Sequence, residues 1–253
     1  MSFTRIVRVE RTGSTNTDLI RALDTEPAEW PHLSALVADD QTGGRGRAGR
    51  GWESLPGASL NCSVVIILGD DALPVTWVPL LVGVAVRRAL RLWLDTDLKW
   101  PNDVLVAGGE PVDVPAWGWA RKLGGILCER HVSGAVVAGI GINCRHREDE
   151  LPVAWAASIA TATGTSGPRP AHVLRPLGET LRAVLDDWKR DAAAVLEEYV
   201  SASVIVGRQV RVTGASVEKR GTVAGFGEDG ALILETDEGE IVSVSAGDVE
   251  RLR

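Results

Sequence analysis

Tyrosine and phenylalanine are nearly missing from this chain: one Tyr and two Phe stand against nine Trp in 253 residues. Composition alone gives no reason for that bias. Cysteine is scarce as well. Cys62, Cys128 and Cys144 are an odd set at no metal-ligand spacing, which excludes a disulfide framework and a cysteine-based zinc site. Each sits in an apolar run and reads as a buried thiol of a reducing compartment. Long apolar runs are absent too. The longest, residues 75–86, falls short of the roughly 20 residues that cross a bilayer and runs into Arg87 and Arg88. The N-terminus, MSFTRIVRVERTG, carries charges at 5, 8, 10 and 11 and lacks the apolar segment of a signal peptide. A soluble, cytoplasmic protein is expected, with no membrane partner. Positive charge is not in excess: 27 Lys and Arg face 34 Asp and Glu, a net charge of −7. That balance excludes a general attraction to DNA or RNA. There are no internal repeats and no low-complexity tracts.

What is present suffices for a real core, since 45% of residues are hydrophobic. The length suits one sizeable domain with a small appendage, or two modest ones. After a short N-terminal strand, Ser14 to Thr17 offer capping oxygens to a helix with Leu19, Ile20 and Leu23 on one face. A strand over 33–38 leads into a Gly/Arg stretch. The run 60–68 is almost wholly apolar, as expected of a central strand buried on both faces. Helical spacing covers 76–94, followed by short strands near 98–100 and 104–106. The stretch 107–120, rich in Gly, Pro and Trp, reads as a loop. Strands over 124–129 and 135–142 look paired. A helix is expected over 155–163, and one long helix from about Arg175 to Val200 with Leu177, Leu181, Val184, Leu185 and Trp188 inward. Beyond Gly207 the texture changes to short alternating segments at 209–212, 221–224, 232–235 and 240–244, the pattern of a small all-β barrel. The expected division is 1–203 and 204–253.

Four motifs carry chemistry. In Gly43-Gly44-Arg45-Gly46-Arg47-Ala48-Gly49-Arg50-Gly51-Trp52, glycines let the backbone approach an anion while guanidinium groups close over it. The same composition occurs in flexible nucleic-acid tails, but this one lies between two expected strands. In Lys99-Trp100-Pro101-Asn102-Asp103, Pro101 removes a ladder donor, so Asn102 and Asp103 project from a strand end. There they could bind a base, a ribose or Mg²⁺, or simply form a turn. Lys122 opens an apolar strand with Gly124 and Gly125; the bland alternative is a solvated edge lysine. Gly139-Ile140-Gly141-Ile142-Asn143 ends another strand with small residues and one amide.

Taken in order, with Ser14-Thr15-Asn16 upstream, these motifs resemble the biotin protein ligase family over residues of about 5 to 250. The Gly/Arg loop and Lys-Trp-Pro-Asn-Asp are the most specific parts. The resemblance implies an α+β fold. Its catalytic domain is a mixed, largely antiparallel sheet backed by helices, like class II aminoacyl-tRNA synthetases. A small C-terminal SH3-like barrel follows. It also implies the monofunctional class, without an N-terminal DNA-binding domain. The implied activity is activation of biotin with ATP and Mg²⁺ to biotinyl-AMP. Biotin then passes to one lysine of a biotin carboxyl carrier protein or carboxylase biotin-accepting domain.

Position by position, the resemblance assigns Ser14, Thr15, Asn16 and Gln41 to biotin. Gly44, Arg45, Gly46 and Arg47 fall in the loop over its carboxylate and the phosphate. Lys122 reaches the same two groups, and Gly125 and Gly141 allow close approach of the biotin. Lys122, Arg47 and Arg45 are the expected catalytic cations. Arg47, Trp52, Asn102, Asp103, Lys122 and Asn143 make up the ATP side, with Asp103 as a metal ligand. Ala48 and Gly51 depart from the commoner pattern, where Arg at the first and Lys or another residue at the second are usual. Rival readings are a lipoate or octanoyl transferase of the same fold, a biotin-responsive regulator, and a catalytically dead relative.

Overall fold

The computed structural model describes residues 3–69, 73–115, 117–214 and 218–252. Strand β1 (Arg5–Thr12) runs into helix α1 (Thr15–Thr25), whose N-cap Ser14 accepts from the Thr17 amide. Strand β2 (Ser34–Gln41) follows, then a two-stranded ribbon, β3 (Gly44–Arg45) and β4 (Gly51–Trp52). Next come β5 (Ser59–Ile66), helix α2 (Val78–Leu90), and the strands β6 (Thr96–Lys99), β7 (Asp103–Val106), β8 (Lys122–Arg130) and β9 (Val136–Asn143). Helices α3 (Ile159–Thr163), α4 (Pro170–Arg190) and α5 (Ala192–Ala202) precede β10 (Gln209–Thr213), β11 (Glu218–Phe226), β12 (Leu232–Thr236), β13 (Ile241–Val244) and β14 (Asp248–Arg251).

Seven strands form one sheet in the order β1-β2-β5-β9-β8-β7-β6. Only β1 and β2 pair parallel; every other neighbour is antiparallel. β5 is buried along its whole length, as its apolar run demands. One face of the sheet packs against α2, α4 and α5 in the main core, with Leu60, Cys62, Val64 and Ile66 from β5 meeting Leu81, Leu177 and Leu181. On the other face α1 seals a smaller cluster of Leu19, Leu23, Leu36, Val65 and Val137. α1 covers only part of that face, and the remainder forms the floor of the site.

Two helical expectations are corrected. Residues 155–157 are not helical, because they run beside the start of β8: Trp155 O accepts from the Lys122 amide and Ala157 N donates to Lys122 O. The helix is therefore only α3, capped by Ser158, whose Oγ accepts from Thr161 N. The single long helix is two, because Asp191 Oδ1 accepts from Ala194 N and starts α5 afresh. Trp188 is half-buried against the core.

The C-terminal strands form an antiparallel sheet in the order β13-β12-β11-β10-β14, which does not close into a barrel. Its last strand, β14, was not visible in the sequence, since Asp248-Val249-Glu250-Arg251 buries only Val249. The tryptophan bias has a use here. The indoles of Trp77, Trp100 and Trp119 donate to Glu228 O, Gly230 O and Val249 O at 2.7, 3.2 and 3.2 Å. Each ring thus buries apolar area and ties the C-terminal sheet to the rest of the chain.

Candidate active site

The register of the large sheet places one row of residues across six adjacent strands. Lys99 pairs with Asp103, Asp103 with Gly125, Gly125 with Gly141, Gly141 with Asn61, and Asn61 with Ala38. Cross-strand partners share a face, so the row has charge at one end, two glycines in the middle and an amide beside them. Gly139, two residues before Gly141, extends the side-chain-free floor. Long side chains lie over these glycines. A methyl on Gly139 would meet Asn16 Oδ1 at 2.5 Å, one on Gly125 would meet Lys122 Nζ at 3.3 Å, and one on Gly141 would collide with the Trp52 ring. Above them opens a cavity of about 480 Å³.

Ser14, Thr15, Asn16, Gln41, Arg45, Gly46, Arg47, Trp52, Asn102, Asp103, Lys122, Gly125, Gly141 and Asn143 all line it. Gly44 does not. A side chain there would strike the Trp52 carbonyl, so its glycine serves the close crossing of β3 and β4. The amide end is tightly wired. Gln41 Oε1 accepts from the Thr15 amide and hydroxyl at 3.0 and 3.1 Å. Ser63 Oγ lies 2.7 Å from Thr15 Oγ1 and 2.6 Å from Asn16 Oδ1. Asn16 Nδ2 donates to Leu127 O and Glu129 Oε2 at 3.0 and 2.8 Å. On the other side, Asn102 Nδ2 donates to Ile126 O and Asn143 Nδ2 to Ala157 O.

The charged end is built on Asp103. Its carboxylate lies 2.5 Å from Lys122 Nζ and 3.2 Å from Lys99 Nζ. Burial pushes the carboxyl up, but the two ammonium groups outweigh it and hold its pKa at about 2. Burial draws the Lys99 ammonium down despite Asp103 beside it, and Lys99 also sits 5.1 Å from the Trp117 ring.

The three loop arginines have different fates. Arg45 pairs with Glu129 at 3.0 Å and Arg50 with Asp248 at 2.7 Å. Arg47 is half-buried and makes no ion pair among the described residues; burial lowers its pKa, against the pull of Asp248 and Asp103. A desolvated guanidinium facing a cavity is a receptor for an anion. The turn carrying it has Ala48 at φ 53° and Gly49 at φ 74°, a left-handed pair.

Several lining residues were missed. Lys99 belongs to a motif but was given no role, and Asp248 reaches the cavity from β14. The stretch 107–120 contributes Pro115 and Trp117, with Trp117 stacked on Trp155 at 6.1 Å between centroids; Ala116 lies outside the described residues. Asn61 is the most telling omission. A lone amide inside the apolar run 60–68 was the available signal.

Residues 9–146 match the Biotin/lipoate A/B protein ligase family, and residues 205–252 the Biotin protein ligase C terminal domain. The chain belongs to the biotin/lipoate A/B protein ligase family. The Biotin--[acetyl-CoA-carboxylase] ligase of Mycobacterium tuberculosis is 33% identical, over 97% of this chain and 88% of the relative. The Bifunctional ligase/repressor BirA of Bacillus subtilis is 28% identical over 87% of this chain and 66% of the relative. The solved biotin protein ligase from Aquifex aeolicus in complex with biotin and ATP superposes with a TM-score of 0.77 at 27% identity, covering 99% of this chain and all of that one. Within the family, the C-terminal match sets this member with the biotin protein ligases rather than with lipoate transfer. Fold class and family agree with the sequence reading. No helix among the described residues is long and apolar enough to cross a membrane.

Proposed function

We propose that this chain activates biotin with ATP to biotinyl-AMP and transfers it to a lysine of a biotin carboxyl carrier protein or carboxylase domain. The observation carrying this reading is the meeting, at a cavity floored by glycines, of Lys122 held by Asp103 with Arg47, which makes no ion pair among the described residues. In the first step a biotin carboxylate oxygen attacks the α-phosphorus of ATP and pyrophosphate leaves. Two anions must approach one another. Lys122, aimed by Asp103, and Arg47, partly stripped of water, offset the repulsion and the charge gathering on the phosphoryl oxygens. Arg45 acts from the loop above after exchanging Glu129 for the substrate. Ser14, Thr15, Asn16 and Gln41 bound the biotin end. Trp52, Asn102, Asp103 and Asn143 bound the nucleotide end. In the second step the neutral amine of the carrier lysine attacks the acyl carbon, AMP leaves, and the loop keeps water from the mixed anhydride.

A divalent ion held by Asp103 does not fit this site. Both carboxylate oxygens are engaged by ammonium groups, and no cluster of three His, Cys, Asp or Glu is placed to hold a metal among the described residues. In this reading magnesium arrives with ATP as part of the substrate. The catalytic unit is residues 1–203 and the C-terminal unit 204–253. The test is incorporation of labelled biotin into a purified carrier domain. ATP-dependent labelling by wild type that collapses in Lys122→Ala supports the assignment; ATP-independent or absent labelling overturns it.

A further inference from the structure

The two lysines that share the Asp103 carboxylate are not equivalent. Both line the cavity. Lys99 stands opposite Asp103 in the pairing of β6 with β7, its Nζ 3.2 Å from Oδ2 and its side chain 5% exposed. Lys122 reaches the other oxygen from the first position of β8, and its side chain is 23% exposed. Their surroundings differ too. The Lys99 ammonium is 5.1 Å from the centre of the Trp117 ring. Lys122 lies over Gly125, on the part of the floor that carries no side chain. Lys99 is thus the enclosed partner of the carboxylate and Lys122 the open one.

That difference bears on activation. Lys122 has to turn from Asp103 towards the biotin carboxylate and the phosphate. A buried carboxylate deserted by its one counterion is costly to leave behind, so an aspartate with a single partner would hold that partner back. Asp103 has two. With Lys99 in place, Lys122 can follow the substrate while the carboxylate stays paired.

We infer that Lys99 is a positioning residue for biotin activation, the standing counterion of Asp103 whose charge frees Lys122 to engage the reacting anions. This rests on the reading of Lys122 as the lysine that reaches the carboxylate and the phosphate. Lys99 acts through Asp103 and not on the substrate. Removing its charge therefore leaves ground-state binding nearly intact and slows the step in which Lys122 must move.

Single-turnover formation of biotinyl-AMP by the full chain, followed as pyrophosphate release, tests this in a double-mutant cycle of Lys99→Met and Asp103→Asn. Met removes the charge of Lys99 and keeps an unbranched apolar chain. Asn keeps an acceptor for Lys122 but not the charge that holds it. In the wild-type background Lys99→Met is expected to slow the reaction at saturating biotin and ATP at least tenfold, with the half-saturating concentration of each within threefold. In the Asp103→Asn background the same substitution is expected to change the rate less than twofold, because Lys122 no longer has a carboxylate to leave. Lys99→Met should also raise the melting temperature of Asp103→Asn, where the buried ammonium has lost its anion. An equal loss of rate in both backgrounds, the result of misfolding or of a direct contact with substrate, overturns the inference. So does a wild-type rate in Lys99→Met, a rise in half-saturating ATP with the saturated rate unchanged, or no rise in melting temperature. Wild type that forms no biotinyl-AMP would instead remove the activation reading itself.

Discussion

Lys122 Nζ lies 2.5 Å from Asp103 Oδ1, and this contact joins the first residue of β8 to the first residue of β7 at the wall of the cavity. Lys99 approaches the other oxygen. Two cations thus share one buried anion, leaving a net positive wall where a carboxylate and a phosphate must meet.

Lys122→Ala is expected to lower the rate of pyrophosphate release from biotin and ATP by about a hundredfold or more, the usual scale for losing one electrostatic stabiliser. Stopped-flow detection of pyrophosphate checks this. A rate within threefold of wild type would leave the lysine without a role in activation.

Arg47→Ala is expected to release biotinyl-AMP faster than wild type, because Arg47 is the loop arginine that makes no ion pair among the described residues. Arg45→Ala should have the smaller effect, since Glu129 already competes for that guanidinium. Dissociation of labelled intermediate, followed by rapid filtration, ranks the two.

Acid should weaken the fold through Asp103. Its folded pKa, about 2, lies below the ordinary 3.8. Its ionised form therefore adds stability that is fully present above about pH 4 and is lost as pH falls towards 2. Asp103→Asn should flatten that part of the melting curve against pH. At neutral pH it should also destabilise by about 3–5 kcal/mol, as the buried Lys99 ammonium and the partly buried Lys122 ammonium lose their anion. An unchanged acid limb would show that other carboxyls govern it.

Trp119→Phe keeps the ring but removes the donor to Val249 O. A buried carbonyl left without its partner costs about 1–3 kcal/mol. Denaturant unfolding monitored on the C-terminal sheet should show a loss of that order, with little change in the catalytic rate.

Gly141→Ala should expel Trp52 from its place on the floor and weaken biotin binding. Because both changes act on one contact, Gly141→Ala and Trp52→Ala should combine to much less than their sum in a double-mutant cycle. Strict additivity would mean that the ring and the glycine act separately.

Much of this was legible in advance. The apolar run of β5, the pairing of β8 with β9 and the change of texture past Gly207 follow from periodicity. The cations Arg45, Arg47 and Lys122 follow from motifs. Contacts distant in sequence were not legible. That Arg50 turns to Asp248 while Arg47 stays unpaired depends on the placement of β14. The helix expected from 155 was lost to backbone bonds with Lys122, and the long C-terminal helix was broken by a single capping carboxylate. Asn61 was hidden for a different reason. An apolar strand predicts burial, and only the register reveals that its one amide faces glycine instead of a partner.

Trp52, Trp117 and Trp155 stand in the cavity wall, and Trp117 and Trp155 are stacked on one another. The chain has only one tyrosine to add to their emission. Three of its nine tryptophans therefore emit from the reaction chamber, and filling that chamber changes the surroundings of those three together. The protein carries its own optical titration signal, which needs neither a label nor a coupled assay.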